Sequence, residues 1–169
     1  MEIIRLVDKI YKNLKKDPAL IFSENDLTCQ IYKELIQDET KRVFTEWSVK
    51  KKRGGPGKRI GRSQFDIVVC NKKDLVFDGR NDISISYFKK IMELKVHWQT
   101  SGSHMLNQIR RDYEKLKSLS DEIVEKKYMI AFNLCRKDIS EKQLLDWDRK
   151  LKKANIIFIY RFLNTRKLL

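Results

Sequence analysis

Gln64-Phe65-Asp66-Ile67-Val68-Val69-Cys70 and Lys90-Ile91-Met92-Glu93-Leu94-Lys95-Val96-His97 are the two segments whose reading decides the fold. Both are rich in β-branched and aromatic residues and the second alternates strictly, which predicts two strands half or fully buried in a sheet. Side chains alternate across a strand, so Glu93 and Lys95 share one face while Met92, Leu94 and Val96 share the other. A carboxylate inside an apolar strand carries a desolvation penalty seldom met without a partner ion or a function, and Asp66 and Glu93 both stand in that position. If the strands are neighbours, the two carboxylates converge on one divalent cation, with the main-chain carbonyl of Leu94 as a further oxygen ligand. Lys95 then lies beside the cation, where an ammonium orients a water or steadies charge building on a phosphate.

Asp66 followed by Glu93-Leu94-Lys95 resembles the PD-(D/E)xK nuclease superfamily, which includes restriction endonucleases and Holliday-junction resolvases. Phe65 stands where the superfamily name has proline. The resemblance implies an α/β fold, a three-layer restriction-endonuclease-like sandwich with a central mixed sheet flanked by helices. It also implies Mg²⁺- or Mn²⁺-dependent hydrolysis of nucleic-acid phosphodiesters, most readily of DNA. In that superfamily a glutamate on the helix before the first strand often completes the metal shell, and Glu24 matches it best by position, with Glu34 in reserve. An acid in the first turn of a helix also complements the helix dipole, which is the ordinary explanation for Glu24.

Composition points to the same kind of partner. The 169 residues suit one domain with a single core, and apolar residues at 41% suit a globular chain even with 36% charged. A net charge of +14 calls for a polyanion, nucleic acid or an anionic membrane surface. No apolar run is long enough to span a bilayer, and the start does not resemble a secretory signal, so no membrane association and a cytosolic or nucleic-acid-associated location are expected. Cys29, Cys70 and Cys135 lack metal or disulfide spacing and are read as small hydrophobes.

Half of the net charge is concentrated between the first two strands. Lys50, Lys51, Lys52, Arg53, Lys58, Arg59 and Arg62 carry seven positive charges with no acid among them, interrupted by four glycines and Pro56. A loop of this composition suits phosphate contacts on either side of a scissile bond and makes binding salt-dependent. Its spacing is not that of a Walker A loop.

Around these segments the periodicity predicts a helix from about Glu2 to Lys16, with Asp17-Pro18 ending it, and a second from Ser23, whose Ser-x-x-Asp start resembles a capping box. The second helix places Leu27, Ile31, Leu35 and Ile36 on its apolar stripe. A first strand is expected over Lys41–Val49, short pairing segments at Leu75–Phe77 and Ile83–Ser86, and turns at Asp78 and Asp82. Met105 to Leu119 reads as a helix with Lys115 outward. Gln108, Arg111 and Asp112 are similar to polar positions that follow the Glu-x-Lys strand in the superfamily, although a solvated face is the default reading for them. A strand over Lys127–Leu134, a helix capped by Ser140 carrying Leu144, Leu145, Trp147 and Leu151, and a last strand at Ile156–Tyr160 buried on both faces complete a parallel rhythm. His97 and His104 are read as structural.

Three functions fit these residues: a metal-dependent nuclease, a catalytically inactive nucleic-acid-binding module on the same fold, and a basic accessory subunit for an acidic protein partner. Symmetric substrates would favour a homodimer, though no interface patch stands out in the sequence.

Overall fold

Ile3, Leu6, Val7, Ile10 and Leu14 recur at helical spacing and are buried along one side of α1 (Ile3–Lys16). Ser23 starts α2 (Glu24–Leu35) through a reciprocal cap: its hydroxyl accepts from the Asp26 N–H at 3.2 Å, and its own N–H donates to the Asp26 carboxylate at 2.9 Å. The strands are β1 (Lys41–Lys51), β2 (Gly61–Asn71), β3 (Leu75–Phe77), β4 (Ile83–Ile85), β5 (Phe88–His97), β6 (Val124–Asn133) and β7 (Ile156–Phe162). Between them lie α3 (Gly102–Lys117) and α4 (Glu141–Lys153), the latter capped by Ser140 and Gln143. This is a computed structural model, and it describes residues 2–17, 20, 23–51, 61–77, 83–98, 102–135 and 138–164.

The main sheet is mixed, in the order β1-β2-β5-β6-β7. β1, β2 and β5 are joined antiparallel, whereas β5, β6 and β7 run parallel through the crossover helices α3 and α4. β3 and β4 form a separate two-stranded ribbon. Helices cover both faces. α1 and α2 close over Ile67, Val69, Met92, Leu94, Ile130 and Phe132. α3 and α4 bring Leu116 and Leu151 against Val68, Ile91, Met129 and Ile156. Alternate residues of β6 enter opposite cores, so this strand is buried on both sides. The architecture is therefore α/β, a mixed five-stranded sheet with four helices.

Some local expectations are corrected. β7 is an edge strand with Ile156 and Ile159 buried and the rest partly covered, because a last strand has a neighbour on one side alone. Its outer side is tied to α1, where Tyr11 donates to the Phe162 carbonyl and Arg161 donates to Asp8. Cys29 is exposed on α2, while Cys70 and Cys135 are buried. Ile36 lies past the end of α2 and is exposed, and Leu145 points outward from α4. Asp78 and Asp82 lie outside the described residues.

Two irregularities in the ladders meet at Asp66. On one side, β1 pairs Thr45 with Ile67 and Trp47 with Phe65 but skips Glu46, whose φ of 52° is left-handed backbone that a non-glycine residue adopts at a cost. On the other side, the β2–β5 ladder covers Val69↔Lys90 to Ile67↔Met92 and goes no further. Asp66 is the next residue, so its carboxylate occupies the point where the two strands part.

Candidate functional site

The parting of β2 from β5 leaves the Leu94 N–H without a main-chain partner from β2, and the Asp66 carboxylate takes it at 2.6 Å. That hydrogen bond fixes Asp66 at the mouth of the gap. Glu93 and Lys95, two residues apart on β5, share the face that α3 covers. Glu93 is fully buried, and the Lys115 ammonium of α3 lies 2.6 Å from its Oε1. Lys95 Nζ stands 3.1 Å from Glu24 Oε2 and 3.1 Å from Asp112 Oδ2. Asp112 also reaches Lys115 at 3.1 Å through Oδ1. Four elements thus contribute: β2 gives Asp66, β5 gives Glu93 and Lys95, α2 gives Glu24, and α3 gives Asp112 and Lys115.

Charge in this cluster does not balance. Four carboxylates (Glu24, Asp66, Glu93, Asp112) face two ammoniums (Lys95, Lys115), an excess of two negative charges when all are ionised. Glu93 bears the consequence. Burial, then the charges of Asp66 and Asp112, push its carboxyl up to about 9, and the nearby Lys115 opposes this without overcoming it. Lys115 in turn is held more basic than usual, against its own desolvation, by Glu93 and Asp112. The two partners' shifts point different ways, since the second favours an ionised pair and the first a protonated acid. Burial decides between them: Glu93 has no exposed surface and two carboxylates nearby, so it keeps its proton until more positive charge arrives. The Lys115 ammonium is in ion-pair range of Oε1 but off the direction a hydrogen bond needs, and Oε2 has no hydrogen-bond partner among the described residues. Gln108 Oε1, one helical turn before Asp112, is likewise buried and unpartnered.

Lys95 behaves differently. Burial works against its charge, yet Asp112, Asp66 and Glu24 outweigh it and hold the ammonium above its ordinary pKa. It stays cationic through neutral pH, so it serves as a fixed positive charge and hydrogen-bond donor and not as a proton acceptor.

Several sequence expectations change at this point. Glu24 does not join Asp66 and Glu93 in a carboxylate shell, because Lys95 engages it; among the described residues no group of three or more His, Cys, Asp or Glu side chains could hold a metal together. Glu34 lies away from the cluster, paired with Lys9 at 2.8 Å. Leu94 meets Asp66 through its N–H. Asp112 is buried and not on a solvated face, and Lys115 turns inward and not outward. The signal for Asp112 was in the helix: Met105, Ile109, Asp112 and Leu116 follow one another at steps of four, three and four, which puts an acid inside an apolar stripe. His97 is buried and stacks on His104, with ring centroids 5.7 Å apart. Of the basic loop, Lys50, Lys51 and Arg62 belong to the paired ends of β1 and β2, and Lys52, Arg53, Lys58 and Arg59 lie outside the described residues.

Asp66 and Glu93 fit a divalent cation as a pair. They offer hard oxygen donors, a fully buried Glu93 Oε2 without a hydrogen-bond partner among the described residues, and surroundings in which carboxylates outnumber ammoniums four to two. No family model, curated protein or solved structure matches this chain. No described helix is long and apolar enough to cross a membrane.

Proposed function

We propose that this chain is a metal-dependent nuclease with a restriction-endonuclease-like sandwich, acting on DNA phosphodiesters with magnesium or manganese. One observation carries the proposal: Asp66, at the point where two strands part, lies close enough to the buried Glu93 for its charge to disfavour Glu93's ionisation, beside a lysine held cationic and with Glu93 Oε2 lacking a hydrogen-bond partner among the described residues. Asp66 and Glu93 would hold the cation, with the Leu94 main chain beside it. Such an ion supplies charge neutralisation at phosphorus and a more acidic bound water. Lys95 supports the reaction as a fixed ammonium, positioned by Glu24 and Asp112 to stabilise negative charge developing on the phosphate. The Lys50 to Arg62 segment, which joins β1 to the strand that bears Asp66, would supply positive charge for the phosphates on either side.

The test is incubation of purified protein with duplex, single-stranded and branched DNA and with RNA, in magnesium or manganese. The expected result is divalent-dependent cleavage, lost in Glu93→Ala and Lys95→Ala while gel-shift binding persists. A nucleic-acid-binding module without turnover is the second candidate, favoured by Lys115 lying where a cation would sit on Glu93. Binding without cleavage of any of these substrates would establish it in place of the nuclease. Failure to bind nucleic acid at low salt would leave the basic accessory subunit.

A further inference from the structure

We propose that Lys115 is a built-in competitor for the divalent cation: its ammonium takes the Glu93 side of the Asp66–Glu93 site, leaning on Asp112, until a divalent ion displaces it toward solvent. This rests on the metal-dependent function proposed above and adds how the site is controlled before metal arrives.

The ammonium is surrounded as a small hard cation would be. Three oxygens face it: Glu93 Oε1 at 2.6 Å, Asp112 Oδ1 at 3.1 Å and the Gln64 main-chain carbonyl at 3.1 Å. Two carboxylates and a backbone carbonyl make a ligand set of the kind magnesium and calcium take. Gln64 belongs to the strand that carries Asp66, so Lys115 bridges the parting of β2 and β5 from the α3 side.

The two lysines of the cluster are held differently, and the difference identifies which one gives way. Lys95 rises from the middle of a sheet strand, is clamped between Glu24 and Asp112, and keeps 12% of its side chain exposed. Lys115 comes from a helix and keeps 31% exposed, with its ammonium 5.7 Å from the centre of the Phe65 ring. A flexible four-carbon stem at a partly open position swings outward with little rearrangement of its neighbours. Displacement is also favoured electrostatically. With Lys115 on Oε1, Glu93 Oε2 has no hydrogen-bond partner among the described residues, and a doubly charged ion meets both that oxygen and the surplus of carboxylates. Lys115 therefore sets the concentration of divalent ion at which the site loads and does not bar loading. A site blocked most of the time shows an apparent affinity reduced by the fraction of molecules in which it is open, so removing the block tightens binding by about tenfold if Lys115 holds the seat about nine-tenths of the time.

The experiment is a Mn²⁺ titration without nucleic acid, followed by the electron paramagnetic resonance signal of the free ion, on the wild type, Lys115→Met, Lys115→Arg and Glu93→Gln. Lys115→Met is expected to bind Mn²⁺ about tenfold more tightly than the wild type, Lys115→Arg no more tightly than the wild type, and Glu93→Gln to lose binding. Equal or weaker binding by Lys115→Met overturns the proposal. If neither the wild type nor Lys115→Met binds Mn²⁺, the metal-dependent function itself fails and takes the proposal with it, an outcome distinct from equal binding by both. Acylation of lysines in the wild type, read by mass spectrometry, keeps the question open to disproof should Lys115→Met fold poorly. Lys115 is expected to label faster once Mn²⁺ is bound, with the buried Lys127 as an internal reference, and an unchanged Lys115 rate at saturating, bound Mn²⁺ overturns the displacement.

Discussion

Two buried charge sites lie on neighbouring strands of the sheet, and they are built to opposite rules. At the start of β6, Lys127 is almost wholly covered, donates to the Leu119 carbonyl at 2.7 Å and pairs with Asp121 at 2.5 Å. One buried cation meets one largely exposed anion and one carbonyl, so its charge is balanced. Around β5, four carboxylates share two ammoniums, and a buried glutamate oxygen has no hydrogen-bond partner among the described residues. A buried ammonium balanced by one exposed carboxylate and a carbonyl is explained by folding alone, because it fixes where a helix end meets a strand. An unbalanced one has a cost that folding does not explain, and the imbalance, more than the burial, is what the proposed cation would relieve.

The sharpest way to break this contrast is to remove one lysine from each site. Lys95→Ala should lower the rate of nucleic-acid cleavage by at least about 10²-fold, the scale seen when a preorganised group that stabilises developing charge is deleted. Lys127→Ala should leave the cleavage rate of the folded protein nearly intact and lower stability by about 1–3 kcal/mol, because the Leu119 carbonyl loses its buried donor. Cleavage kinetics and urea denaturation on both variants decide the matter. Comparable loss of rate in the two would mean that the β5 cluster has no special standing.

A smaller effect should appear in the pH dependence of stability without metal. The Glu93 carboxyl is raised from 4.5 to about 9, so between these values the folded protein holds a proton that the unfolded chain has released. Stability therefore falls as pH rises through this window, by up to about 1.4 kcal/mol per pH unit from this one group. Glu93→Gln should remove the slope, and saturating magnesium should flatten it by taking the proton's place. Lys127→Met should leave the slope unchanged. Urea melts at several pH values would show it, and a Glu93→Gln variant that kept the full slope would shift the origin of the imbalance to another carboxylate.

What the sequence disclosed about this site followed from a single kind of signal, an acid set within an apolar pattern. Asp66 and Glu93 stood out because each is an acid inside a short apolar strand, and the parallel half of the sheet followed from the order of strands and helices, whereas its mixed character was what the resemblance implied. Asp112 carried the same signal in helical form but was hidden by the charged residues around it, since Arg110, Arg111 and Glu114 make that stretch read as solvated. Lys115 was not legible at all. Its place on the helix surface is that of any flanking lysine, and only the position of α3 over the β2–β5 gap turns it inward. The left-handed Glu46 and the early end of the β2–β5 ladder were equally hidden, because where two strands part depends on their packing and not on the composition of either.

The smallest expected effect concerns the two glutamates of α2, which sequence position alone leaves as alternatives. Glu24 stands at the first turn and reaches across to Lys95, whereas Glu34 stands ten residues on and pairs with Lys9 of α1, an ammonium that is well exposed. A pair of that kind is screened by water and contributes about 0–1 kcal/mol, so Glu34→Gln should shift the denaturation midpoint slightly and leave cleavage alone. Glu24→Gln keeps the side chain's size and removes the charge that helps position Lys95, so its effect should fall on the rate of cleavage and not on the strength of nucleic-acid binding. Single-turnover kinetics beside a gel shift separate the two quantities. Should Glu34→Gln slow the chemistry as much as Glu24→Gln does, the influence of α2 on the site would have to run through the placement of the whole helix and not through the Glu24 carboxylate.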